Sequence, residues 1–150
     1  MKFSDVSRED WNELAPYLDT CLLPVSGLDG SEEPWEAREA LEALRDALEL
    51  LEIPFRGRVV TYPALHYSES APGGELLGSV CAKLKSAGFR YVIVLTANPK
   101  ADIGHCPEAD LILRIVPEEG GTVGQFGPEV SRLVRQLWNP PDRGQPDGNR

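Results

Sequence analysis

Three observations place this chain in the α/β class, as a three-layer sandwich with a mostly parallel sheet of about four strands and helices on both faces. Tyr91 to Thr96 (YVIVLT) is an unbroken apolar run, the pattern of a strand covered on both faces. Short runs of this kind alternate with longer segments of helical periodicity, the order that builds strand–helix–strand crossovers. Polar residues follow each run, at the carboxyl end of the strand, where open α/β sheets form their ligand crevice.

The elements follow in order. Ser7 with Asp10 resembles a capping box, with Asp in the place usually held by Glu or Gln, and opens a helix over about 8–18. Trp11, Leu14, Tyr17 and Leu18 fall on or near one face, and Pro16 kinks or shortens the helix. The run TCLLPV at 20–25 is too short for a helix and reads as the first strand. Turn formers fill 26–31, and Pro34 suits the first turn of a long helix over about 34–52. There Ala37, Leu41, Leu44, Leu48 and Leu51 make an apolar stripe. The opposite, charged side reads as a solvated face.

Gly57 to Tyr62 reads as the second strand, closed by Pro63. A third helix over about 72–87 turns Leu76, Leu77, Val80, Cys81 and Leu84 inward, and Gly88 ends it. The run at 91–96 is the central strand, and 109–116 contains a fourth. The stretch 118–127 reads as a mobile loop. Pro128 begins a last helix with Val130, Leu133, Val134, Leu137 and Trp138 inward. The expectation is a single α/β domain over 1–138 and a disordered polar tail over 139–150, where Pro, Gly and polar residues dominate.

A 150-residue chain with 41% hydrophobic residues can build a core without a staple. Its net charge of −9 opposes a phosphate backbone or an anionic bilayer, so neither nucleic acid nor a membrane surface is an expected partner. No apolar run approaches the roughly 20 residues of a membrane-spanning helix. The three cysteines are too few for a disulfide framework, and Cys21 and Cys81 sit in apolar patterns as buried hydrophobes. A cytoplasmic location fits these features.

If the strands are parallel and adjacent, three polar loops share one edge of the sheet. They bring Ser26 and Asp29 after the first strand, His66 and Ser68 after the second, and Asn98 after the third. These five are the candidate ligand-binding residues. No catalytic residue is assigned: Ser68 lies two positions from His66, so the two side chains diverge in an extended loop, and no nucleophile-elbow motif is present. No metal site is assigned either, since His66, Glu69 and Asp29 match no ligand spacing. Gly73-Gly74 precedes the third helix without a phosphate-binding motif around it. No cofactor is expected.

The segments YLDTCLLPV at 17–25, FRGRVVTYPALHY at 55–67, LKSAGFRYVIVLT at 84–96 and LVRQLW at 133–138 resemble the YpiF-like family of Firmicutes, a domain of unknown function. That resemblance implies an accessory role around the expression or assembly of a respiratory complex, and it carries no catalytic residues. LLPVSGLDG, TYPALHYSES and GFRYVIVLTAN are fainter echoes of creatininase-like amidohydrolases. Here only Asp29 stands near the first ligand region of that family, and Ala97-Asn98-Pro99 replaces the second, so the scaffold is similar without its metal ligands. YSES with the strands that follow resembles sugar-isomerase domains, but Glu69 would repel the phosphate that their loop holds.

The leading expectation is therefore a non-enzymatic accessory or protein-interaction factor, with the helix bearing Trp11, the 118–127 loop and Trp35 as contact surfaces. The alternative is a binder of a small anionic or sugar-like metabolite at the strand-end edge. The oligomeric state is left open.

Overall fold

The computed structural model describes residues 1–66 and 73–141. Ser68 and most of the 139–150 tail, from 142 on, lie outside the described residues. The strands are β1 (Thr20–Val25), β2 (Val59–Thr61), β3 (Tyr91–Thr96) and β4 (Leu111–Arg114), and the helices are α1 (Arg8–Leu14), α2 (Pro34–Glu52), α3 (Gly73–Ser86) and α4 (Gly127–Trp138). The sheet has the order β2-β1-β3-β4, and every pairing is parallel. β1 and β3 pair along their whole length, from Thr20 opposite Tyr91 to Val25 opposite Thr96.

Alternation along the central strands explains their continuous apolarity. Cys21, Leu23 and Val25 of β1 and Val92 and Val94 of β3 face α3, joined by Leu77, Cys81 and Leu84. Leu22, Ile93 and Leu95 face the other way, against Leu44, Ala47, Leu48 and Leu51 of α2 and Val130 and Val134 of α4. Neither face of these strands meets water, so every second-position polar residue would bury an unpaired group. The two apolar clusters are the two interlayer seams of the sandwich.

Some boundaries and faces depart from expectation. α1 stops at Leu14, and a turn carries the chain through Pro16, leaving Tyr17 exposed. Proline at 16 lacks the amide that a further turn would use. In α2, Leu41 is exposed; at about 100° per residue it stands roughly 60° from Leu44, at the margin of the stripe. Leu76 of α3 is 54% exposed rather than inward, because it precedes Leu77 by one position, about 100° off the buried Leu77–Cys81–Leu84 line. The stretch 118–127 contains a 3-10 turn, Val123–Phe126, capped by Thr122 and Gln125. Val123 and Phe126 of that turn pack against the α2–α4 seam, a gain that an all-loop reading of Gly-rich sequence overlooks.

The two ends of the sheet differ. At the amino end, Trp138 donates from Nε1 to Thr20 Oγ1 at 2.8 Å, under the guanidinium of Arg58 at 4.0 Å from its ring. Arg58 itself clamps Asp19 through two bonds of 3.0 and 3.2 Å. At the outer edge, Thr61 donates its amide to Met1 O at 2.8 Å, so the chain start covers β2. Among the described residues, no helix is long and apolar enough to cross a membrane.

Candidate functional site

The chain leaves β1 through α2 to reach β2 on one side, while β3 lies on the other side of β1. The loops that follow β1 and β3 therefore diverge at a topological switch point, the place where open α/β sheets form a crevice.

Beyond β2 the chain does not turn away at once. Tyr62 donates its amide to Leu22 O at 2.9 Å, Leu65 to Pro24 O at 2.8 Å, and Ser26 in return to Leu65 O at 2.9 Å. Pro63, which has no amide to give, interrupts the formal strand without breaking this alignment. The extension delivers His66 beside Ser26, and Ser26 Oγ lies 2.6 Å from His66 Nδ1. Ser26 Oγ also accepts from Leu28 N at 3.4 Å, so the one hydroxyl joins the backbone of its own loop to the histidine ring.

From the third loop, Asn98 donates Nδ2 to Ser26 O at 3.0 Å and accepts from Lys100 N at 2.9 Å, while its own amide donates to Thr96 Oγ1 at 3.2 Å. Ser26, His66 and Asn98 thus tie three strand-end loops into one strut. Ser26 is only 1% exposed, so its hydroxyl is spent inside the strut and is not offered to solvent. Gly27 lets the loops close this tightly: its φ is +75°, and a Cβ there would stand 2.8 Å from Asn98 Nδ2.

The remaining candidates fall elsewhere. Asp29 is exposed and turns onto its own loop, accepting from the amide and hydroxyl of Ser31. Those bonds from Ser31 hold its carboxyl below the ordinary aspartate value. Ser68 lies outside the described residues. The group beside Asp29 that sequence reasoning missed is Glu32. Its carboxylate accepts from the amides of Asp29 and Gly30 and meets Lys100 Nζ at 3.5 Å. Burial pushes its pKa up, yet the amides of Asp29, Glu32 and Gly30 outweigh that and leave it below the usual glutamate value.

Next to the strut an open cleft of about 400 Å³ runs between the first turns of α2 and the loop after β3. Ala40, Ala43 and Ala97 give it an apolar floor, Glu36 and Glu39 one polar wall, and Asn98, Pro99 and Lys100 the other. Glu36 is partly committed, since it accepts from Glu33 N at 2.8 Å to cap α2. Asn98 alone belongs to both the strut and the cleft.

A family model described as "Protein of unknown function (DUF2487)" matches residues 9–106. The chain belongs to that family. The matched stretch runs from α1 into the loop after β3, so the DUF2487 match contains the whole strut and every cleft residue named above. No curated protein and no solved structure matches the chain.

The alanines of the DUF2487 cleft gave no sequence signal, because Ala40 and Ala43 read as ordinary helix formers. Lys100 stood in the third polar loop but had no visible partner 68 positions earlier. Among the described residues, no group of three or more His, Cys, Asp or Glu is arranged to hold a metal ion.

Proposed function

We propose that this protein is a non-enzymatic accessory factor that binds a small, hydroxyl-rich ligand in the cleft between α2 and the loop after β3. One observation carries the reading: the strut buries its own hydroxyl and amide groups, while the adjoining cleft stays open with an apolar floor and polar walls. Pockets of that composition hold small molecules by shape on the floor and by a few hydrogen bonds at the walls. Of the anionic and sugar-like ligands that the loops suggest, the sugar-like class suits the site better. Carboxylates of Glu36 and Glu39 accept from hydroxyl groups but repel an anion.

The test is a thermal-shift titration with sugars and polyols beside sugar phosphates. The neutral compounds raise the melting temperature, and Ala43→Leu, which fills the cleft and leaves every charge in place, removes the rise. A rise that survives Ala43→Leu, or none across the panel, overturns the cleft reading.

Trp35 favours a second role, contact with another protein. It is 54% exposed at the start of α2, beside the cleft, and exposed tryptophan is a frequent interface anchor. Trp11 is the weaker anchor, since it packs against Phe3 and Phe89. A YpiF-like role in the cytoplasm of Firmicutes, around expression or assembly of a respiratory complex, is the setting this reading suggests. Capture of a specific partner from native cells, lost in Trp35→Ala, supports it; equal capture by wild type and variant counts against Trp35.

A further inference from the structure

The two edges of the sheet are finished differently. Along β2 lies the chain start, where Lys2 bridges Thr61 and Thr61 donates its amide to Met1 O. Along β4, at the other edge, no segment among the described residues pairs with the outer side. Ile115 donates its amide to Thr96 O at 2.8 Å, so Leu111, Leu113 and Ile115 turn their backbone groups toward β3. Ile112 and Arg114 turn theirs outward, away from the sheet. An edge of this kind is a template for a further strand, and β4, with the sequence LILR, holds no proline and a single charge at its end.

What this edge presents is complementary to itself. Asp110 and Arg114 flank Ile112 at equal spacing, and all three side chains lie on the α3 side of the sheet. Asp110 accepts from Lys85 of α3 at 2.9 Å, Ile112 packs in the α3 seam, and Arg114 donates to Ala101 O at 3.0 Å. Those bonds hold both charged groups in place, and each has further acceptor or donor positions to give. On the opposite face α4 packs over β4, with Arg135 and Trp138 leaning on Phe55, just past α2. Leu133 and Leu137 therefore fall on the other flank of α4, half-buried in the cluster that includes Leu111. An apolar ledge thus runs beside the open edge.

We propose that two copies of this chain pair through β4, antiparallel about a two-fold axis at Ile112. The two Ile112 residues then exchange amide and carbonyl, and Arg114 of each copy falls opposite Asp110 of the other on the same face. Charge selects this register. Centring the axis on Arg114 or on Asp110 sets like charges together, and centring it on Leu113 sets Arg114 opposite Ile112. Because the axis stands perpendicular to the sheet, the two α4 helices share one face, and their Leu133 and Leu137 approach each other across the joint. Each contact is made twice in such an interface. The two strand-end clefts stay open and point in opposite directions.

The test is sedimentation equilibrium of the full chain from dilute to concentrated solution. Twice the mass of one chain is expected at the concentrated end. Arg114→Glu, at an exposed position, sets a carboxylate against Asp110 on both sides of the axis and weakens pairing by about tenfold or more. Ile112→Cys places two thiols across the axis, about 5.5 Å apart at Cα and within disulfide reach. Mild oxidation then gives a covalent dimer whose peptide map joins position 112 to itself. Arg114→Cys, which sits several residues from its own copy, gives no such link. A single-chain mass at every concentration overturns the proposal. So does a dimer indifferent to Arg114→Glu, or a folded Ile112→Cys that fails to link. The wild-type mass and Arg114→Glu decide the matter even if Ile112→Cys folds poorly.

Discussion

Ser26 and His66 stand 40 residues apart in sequence and 2.6 Å apart at Oγ and Nδ1, across the ends of two parallel strands. The serine is buried, so its hydroxyl has no water to return to when the partner is removed. His66→Ala strands that hydroxyl and is expected to cost about 1–3 kcal/mol, the penalty of an orphaned polar group together with the lost bond. Ser26→Ala costs less, about 0.5–1.5 kcal/mol, because the ring left behind is exposed to water, and the double variant costs less than the sum, with a coupling of at least about 0.5 kcal/mol. Urea unfolding of the four proteins measures this; strict additivity means the two side chains do not support each other.

Gly27 is the position where the strut tolerates no side chain. Its φ of +75° already disfavours any other residue, and a Cβ would meet Asn98 Nδ2 at 2.8 Å and Ala101 Cβ at 3.0 Å. Gly27→Ala is expected to destabilise by about 2 kcal/mol or more, since the left-handed conformation alone costs roughly 1–2 kcal/mol. Gly30, at φ +97° with nothing within 4 Å, serves as the control. Its alanine variant pays only the backbone cost. Equal melting temperatures for the two variants would mean that the loops do not close as tightly as described.

Asn98 separates the donor side of the strut from its acceptor side. Asn98→Asp keeps the acceptor for Lys100 N but replaces the Nδ2 donor to Ser26 O with a second oxygen. Two oxygens then face each other in a buried setting, and the variant is expected to lose more stability than Asn98→Ala, which removes the repulsion along with the bond. Denaturant midpoints rank the two. The reverse order would show that the Lys100 bond matters more than the link to Ser26.

These contacts mark where sequence reasoning ended. The bounds of β1, α2 and β3 were legible because both flanks of each are punctuated by turn formers or proline, and because apolar continuity and helical spacing are local properties. The parallel sheet followed from that order. The pairing of His66 with Ser26 was not legible, because it depends on β2 continuing alongside β1 past Pro63, a fact of tertiary register. Asp29 looked equivalent to Ser26 in the same polar loop, yet its side chain closes on Ser31 two positions away. Leu41 and Leu76 went astray for a related reason: a leucine at the margin of a stripe, three positions from Leu44 or one from Leu77, fits the apolar spacing, and only the packed helix decides which leucines face the sheet.

At the opposite end of the sheet, Trp138 closes the last turn of α4 against Thr20 and Arg58. Trp138→Phe removes the donor to Thr20 Oγ1 and part of the stacking surface under the guanidinium, and is expected to cost about 1–3 kcal/mol. Arg58→Lys keeps the charge but forfeits the two-pronged bond to Asp19 and the flat contact with the indole, for about 1 kcal/mol. Unfolding curves of both variants check this. An unchanged midpoint in Arg58→Lys would reduce that clamp to a surface ion pair.

The buried thiols give the protein an alkaline limit. Burial raises the Cys21 thiol from 9.0 to about 12, against a smaller lowering by the Tyr62 backbone; burial, followed by the neighbouring Cys106, raises Cys81 to about 12. A raised folded value means that the unfolded chain gives up these protons first. The stability they contribute is whole below pH 9 and drains as pH climbs toward 12, by about 1.4 kcal/mol per pH unit for each thiol. Cys21→Ala removes one of the two slopes: it is less stable than wild type at neutral pH, through lost packing, and the gap narrows as pH rises from 9 to 11. Chemical unfolding under a reductant at several pH values measures the gap. A constant gap would mean that Cys21 titrates alike in both states, and that water reaches this face of the sheet.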